Sequence, residues 1–242
     1  MDTQTLARND ATRPSGVRGI IDLRAYAERV ALTRDWSAGR AAPAFADDAA
    51  TVSAIAPVGE GQVAARPCDE FVIVLAGEIE LETAGGITHA GANRSVVLPA
   101  GLRFAWRAEA GTVAVIVACP AASGTASEPV AIDEAAPLER SNPPLAELLV
   151  GPTPSCRNHT DYRSATGELV CGTWDSTPYH RRPMLFRHIE LMHLLEGSVT
   201  FRDESGSATF SKGAIVLAAR GARIAWISEV HVKKVYATHR PA

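Results

Sequence analysis

The chain lacks any apolar run approaching 18 residues, so no segment is expected to span a membrane. It has no basic excess: 24 Lys and Arg stand against 27 Asp and Glu, a formal net charge of -3. A nucleic-acid binder would carry a basic stripe, so no nucleic-acid partner is expected. The four cysteines, Cys68, Cys119, Cys156 and Cys171, form no CxxC pair. They are expected as buried thiols rather than a disulfide frame or a zinc site. The polar stretch MDTQTLARNDATRPSG at the N-terminus has no apolar segment of the secretory type, so a cytoplasmic location is expected. No GxSxG, Walker or HExxH sequence occurs, and Gly85-Gly86 reads as a hairpin turn. What remains is an ordinary globular balance, 46% hydrophobic and 21% charged, over 242 residues. That length suits one large domain or two small ones and excludes global disorder.

A repeat decides for two. EFVIVLAG at 70–77 and ELMHLLEG at 190–197 share one offset, which maps Glu70 to Glu190 and Gly77 to Gly197. The same shift maps Gly86 to Gly206, Val96 to Val216, Gly101 to Gly221 and Trp106 to Trp226. The first copy is placed in 17–120, a linker rich in Ala, Ser, Pro and acids in 121–144, and the second copy in 145–242.

Both copies carry the periodicity of strands. IELMHLLEGSVTF at 189–201 gives apolar stretches broken at Glu196-Gly197, and ATFSKGAIVLA at 208–218 gives two strands around a Lys-Gly turn. FVIVLAG, EIELETAGG, SVVLPAG, LRFAWRA and TVAVIVA repeat the scheme in the first copy. Short strands with regular Gly turns point to an all-β sandwich or barrel. Helices are expected only within 22–32 and 144–150, and the first could equally be an extended arm.

The run Gly172-Thr-Trp174-Asp-Ser-Thr-Pro178, then ELMHLLEG, Gly213, Gly221, Trp226 and VKKVY at 232–236, resembles the DUF861 branch of the cupin superfamily. That branch includes ureidoglycine aminohydrolase-like and ethanolamine-utilisation-like proteins. The resemblance is strong over 172–236 and weaker over 52–117, where VAVIVA replaces the KxY ending. It implies two double-stranded β-helix, or jelly-roll, barrels of the RmlC-like cupin type in one chain, the first one degenerate.

The cupin pattern binds a divalent metal through three His and one Glu. Glu190 stands where the ligand Glu belongs, seven residues before Gly197. The two upstream His positions fall on Met184 and Phe186, or on Pro183 and Leu185, and the late one on Ile224. The first copy keeps Glu70 but has Ala64, Arg66 and Phe104. No metal and no other cofactor is therefore expected, although His188 and Glu190 at the barrel mouth leave an unusual site open.

A lone carboxylate in an apolar barrel needs a partner. His188 and Glu190 share a strand face, as do Lys234 and Tyr236, while His193 faces the other way. Glu190, His188, Trp174, Trp226, Lys234 and Tyr236 are the expected ligand-binding residues. An aromatic-lined pocket and a barrel plugged by its tryptophans fit this pattern equally. Arg181, Arg182 and Arg187 cluster in the loop before Glu190 and read as a solvated basic loop, with attraction of an anionic ligand as the alternative, and His180 reads as a loop residue. In the first copy Trp174 becomes Ala54, His188 becomes Cys68 and Lys234 becomes Ala114. The second copy is thus expected to carry the site.

The expected function is small-molecule binding or sensing, with an unidentified ligand. Two alternatives stand beside it. One is an enzyme resembling ureidoglycine aminohydrolase, with Glu190 as ligand or general base. The other is a scaffold with filled barrels. Packed barrels would make one chain a pseudo-dimer, with outer faces still free for a homodimer.

Overall fold

Alternation along the central strands of each copy buries both of their faces. On Ile189–Glu196, residues Ile189 and Leu191 point toward the other copy, while Met192 and Leu194 point into their own barrel. On Asp69–Ala76, Phe71 and Ile73 face outward to the second copy, and Val72 and Val74 inward. The period-two geometry of a strand sends successive side chains to opposite faces. Here both faces meet a core.

The computed structural model describes residues 16–120 and 125–241. Most of the polar N-terminal stretch and residues 121–124 of the expected linker lie outside the described residues. Each copy forms a large sheet and a four-stranded sheet. In the second, the large sheet orders Ile20–Asp22, Ile215–Ala218, Ile189–Glu196, Val232–His239, Leu169–Ser176, Cys156–Arg163 and Glu139–Ser141. Its small sheet orders Tyr179–Leu185, Arg223–Ser228, Ser198–Asp203 and Gly206–Ser211. The first copy repeats this arrangement. Trp106 pairs Leu81 where Trp226 pairs Phe201, and Glu70 pairs Leu98 where Glu190 pairs Ala218. The offset seen in the sequence is thus kept in strand register. The fold is all-β, with two jelly-roll barrels.

The repeated glycines have a backbone reason. Gly77 and Gly197 have φ of 72° and 74°. A Cβ at Gly197 would lie 2.0 Å from the His231 carbonyl oxygen, and one at Gly77 2.4 Å from Thr112 Oγ1. Only glycine fits a left-handed turn with the next strand so close.

The division of the chain differs from the expected one in two places. Ile20–Asp22, expected in the first barrel, pairs with Ile215–Ala218 of the second. Val17 and Ile20 are buried in the second barrel's core. Reciprocally, Val130–Ala131 from the expected linker pairs with Ser95–Leu98 of the first barrel. Both segments cover a sheet edge that would otherwise present unpaired N–H and C=O groups. The apolar content of GIID and PVAI is what suits them to this, and composition alone had not separated them from arm and linker.

The two large sheets pack face to face. Val52, Phe71 and Val115 of one meet Leu169, Leu191 and Val235 of the other in a single buried cluster. The short helix Leu23–Ala27 joins it, with Asp22 accepting from the Arg24 and Ala25 N–H groups at 3.0 and 3.2 Å. Arg24 then ties the barrels together. Its Nε donates to the Gly213 carbonyl at 2.7 Å, and its Nη2 to the Asn93 side chain. Asn93 and Gly213 are equivalent turn residues, both with positive φ. The second expected helix is a 3-10 turn at Ala146–Leu148.

Candidate functional site

Strand parity brings Glu190 into the second barrel beside Lys234 of Val232–His239. Lys234 lies opposite Trp174 on one neighbouring strand and Leu194 on the other. Its Nζ donates to Glu190 Oε1 at 2.6 Å. The same ammonium sits 4.8 Å from the Trp174 ring centre and 5.0 Å from that of Trp226. The two indoles meet edge to face at 6.0 Å, and Tyr179 stacks on Trp226 at 5.7 Å. A cation held between one carboxylate and two aromatic faces is stabilised by both. His188 Nε2 lies 3.7 Å from Glu190 Oε2. Burial works to raise the Glu190 pKa. The Lys234 ammonium and the His188 contact outweigh it and hold the carboxyl well below the usual carboxylate range.

These groups line a cavity of about 650 Å³. Phe186, Met184 and Met192 supply apolar wall, and Pro143, Pro144 and Leu148 from the segment ahead of the barrel close one side. Size and lining are those of a small-molecule site. Five of the six expected residues, Glu190, His188, Trp174, Trp226 and Lys234, meet there. Tyr236 does not. It lines an adjoining recess of about 270 Å³ that shares Asn142, Trp174, Glu190 and Lys234 with the cavity, and its hydroxyl bonds Thr160 Oγ1 at 3.1 Å.

Arg181 stood among the three arginines of the basic cluster, and the sequence did not set it apart from the other two. It lies on the strand Tyr179–Leu185, not in a solvated loop, and is only 8% exposed. Its Nη2 donates to the Ile224 carbonyl at 3.4 Å, and the guanidinium lies 5.3 Å from the Phe186 ring centre. Its buried Nε has no hydrogen-bond partner. Burial pulls its pKa below the ordinary guanidinium value, yet an arginine stays charged. A β-bulge between Arg181 and Met184 interrupts the pairing there and re-aims the side chains around it. Three neighbouring arginines hid which one turns inward. His180 is likewise on this strand, its carbonyl accepting from the Val150 N–H at 2.8 Å.

His193 faces away from the cavity, as its parity required, and its buried Nδ1 has no hydrogen-bond partner. Burial first, then the nearby Arg24 and Arg94 charges, push its pKa down to about 4.

The first barrel treats the matching carboxylate differently. Glu70, 1% exposed, takes Arg40 Nη2 at 2.9 Å and Arg66 Nη2 at 2.8 Å. Trp36 from the segment ahead of that barrel donates to it at 3.4 Å and fills the interior, edge to face with Phe104 at 5.5 Å. The concavities beside the first barrel's small sheet do not include Glu70 among their lining residues.

The divalent metal of the cupin pattern does not fit these residues. Met184, Phe186 and Ile224 offer no imidazole, and the one carboxylate is already bonded to an ammonium. Among the described residues no cluster of three or more His, Cys, Asp or Glu is placed to hold a metal ion. Among the same residues no helix is long and apolar enough to cross a membrane.

Residues 163–236 match the EutQ-like cupin domain family. A DUF861-family protein of unknown function from Pseudomonas syringae pv. tomato is 29% identical, with 81% of this chain and 85% of that one covered and a TM-score of 0.77. A cupin 2 conserved barrel domain protein from Leptotrichia buccalis, 11% identical, covers 93% of this chain and 97% of its own at a TM-score of 0.60. The DUF861 protein Ylba from E. coli, 10% identical, covers 98% and 99% at 0.52. The last two share the fold alone. No curated protein matches the chain. Register, family match and structural likeness agree: the second barrel matches the EutQ-like cupin domain family over 163–236, and the chain as a whole is similar to a DUF861-family protein.

Proposed function

We propose that the protein binds a small molecule in its second barrel, and that the first barrel is its structural counterpart. The observation that carries this reading is the contrast around the two equivalent glutamates. One is enclosed by Trp36 and two guanidinium groups. The other borders an open cavity of about 650 Å³. Its apolar walls bury ligand surface, and its few polar groups converge from different strands. The Glu190–Lys234 pair supplies a fixed donor and acceptor in a site that is otherwise largely carbon. The aromatic faces of Trp174 and Trp226 hold that pair in place.

A thermal-shift screen of metabolites tests the reading. A ligand at a hundred times its Kd stabilises the fold by about 2.7 kcal/mol, a clear rise in Tm. That rise is expected in the wild type and lost in Trp174→Ala and Glu190→Gln. A rise that survives both substitutions places the ligand elsewhere. A screen without any rise supports filled, structural barrels instead.

A further inference from the structure

Resting on the pocket assigned above, we propose that its ligand is a small organic carboxylate, anchored through the carboxylate by Arg181. The charges that face the cavity do not cancel. Glu190 is the one acidic residue among the described residues that line it, and Lys234 already neutralises it at 2.6 Å. His188 leans on the same carboxylate. Arg181 therefore brings a further positive charge to the wall with no acidic partner. Arg240 adds another at the exposed rim.

A buried guanidinium presents five N–H donors. Here one weak bond reaches the Ile224 carbonyl, and Nε is buried without any acceptor. Leaving such donors empty is costly, and buried polar groups are nearly always satisfied. A ligand oxygen is the missing acceptor. The planar fork of arginine matches a carboxylate edge on, through two parallel bonds.

The rest of the lining selects the body of the ligand. Phe186, Met184, Met192 and Leu148 line the same cavity with apolar surface, and the Phe186 ring centre lies 5.3 Å from the guanidinium. Arg181 is the one buried uncompensated cation among the described lining residues, Arg240 lying at the exposed rim, and a single buried cation in such walls suits a monoanion with an apolar or planar body. A phosphate ester would bring a second negative charge that this lining leaves unmet. The first barrel has no counterpart. Gly61 stands at the matching register position, opposite Trp106 as Arg181 is opposite Trp226. A Cβ there would already lie 2.9 Å from the Trp106 Nε1.

The test is a calorimetric titration of the full chain with carboxylic acids of three to ten carbons, each paired with its amide, and with phenyl phosphate. Acids are expected to bind at least tenfold more tightly than their amides. Arg181→Met should erase that preference, and Arg181→Lys should keep part of it. The unliganded Arg181→Met protein is expected to melt at the same temperature or higher, because an unmatched buried charge has gone. A lowered melting temperature would show that Arg181 is structural and overturn the proposal. Equal binding of acid and amide, or tighter binding of phenyl phosphate than of benzoate, overturns the carboxylate assignment and leaves the pocket standing. If no acid or amide binds at all, both the pocket and its assigned ligand class fail.

Discussion

Glu70 and Glu190 occupy one place in two copies of the same barrel, and their neighbours separate them. Around Glu70 the chain has put bulk and charge together: Trp36 fills the interior, and Arg40 and Arg66 close over the carboxylate. Around Glu190 the matching bulk is absent. The segment ahead of the second barrel contributes Pro143, Pro144 and Leu148 to the wall of a cavity. Duplication supplied two equivalent interiors. Trp36 makes one a core, and its absence leaves the other with a cavity. Fold-level equivalence therefore says little about function, which lies in the side chains that reach each interior.

The strongest way to break this contrast is to empty the first barrel. Trp36→Ala should destabilise the protein by about 3–5 kcal/mol, as large-to-small changes in a packed core do. Trp174→Ala borders a cavity already and should cost less than about 2 kcal/mol. Urea unfolding measures both, and equal losses would mean that the second barrel is as tightly filled as the first.

Next in size is the Glu190–Lys234 pair. Lys234→Met leaves a carboxylate without its ammonium and should cost about 2–4 kcal/mol at neutral pH. The Glu190→Gln/Lys234→Met double variant should recover part of the loss. The folded-state pKa of Glu190 lies below its unfolded value. Its contribution is therefore present above about pH 4.3 and fades as the pH falls toward the folded value. Stability in the double variant should depend less on pH in that acid range.

The smallest effect concerns the surface between the barrels. His193 stands where the first copy has Ile73. A buried imidazole whose pKa is about 4 stays neutral in the fold while the unfolded chain takes up a proton near pH 6.5. Stability should thus fall as the pH drops from about 6.5 to 4, by about 1–3 kcal/mol. Arg24, Arg94 and Glu134 border this histidine's recess, so the slope of the His193→Ile variant against the wild type isolates its share. An unchanged slope would assign the acid sensitivity to other groups.

The fold was legible because the repeat and the period-two pattern are local and strong. Glycines that must adopt positive φ recur at one offset, and the inward and outward faces of Ile189–Glu196 follow from parity alone. The exchanged edge strands were not legible. Ile20–Asp22 and Val130–Ala131 are too short to show a period, and their partners lie far along the chain. Among the site residues, the convergence of Glu190, His188, Trp174, Trp226 and Lys234 was readable from parity and motif spacing. Arg181 was legible only as one of three clustered arginines, because a register shift between Arg181 and Met184 decides which of them turns inward. Trp36 was not legible. The repeat aligns it with Cys156, which shares none of its bulk, so the alignment gave no reason to place a tryptophan inside the first barrel.

One measurement addresses the central contrast directly. The chain has four tryptophans, two per barrel interior, and each indole N–H gives its own signal in a nitrogen-15 correlation spectrum. Titration with a carboxylate bound in the calorimetric series should shift the Trp174 and Trp226 signals and leave those of Trp36 and Trp106 in place. Shifts at Trp36 or Trp106, with Trp174 and Trp226 unmoved, would put the binding site in the wrong barrel and contradict the account.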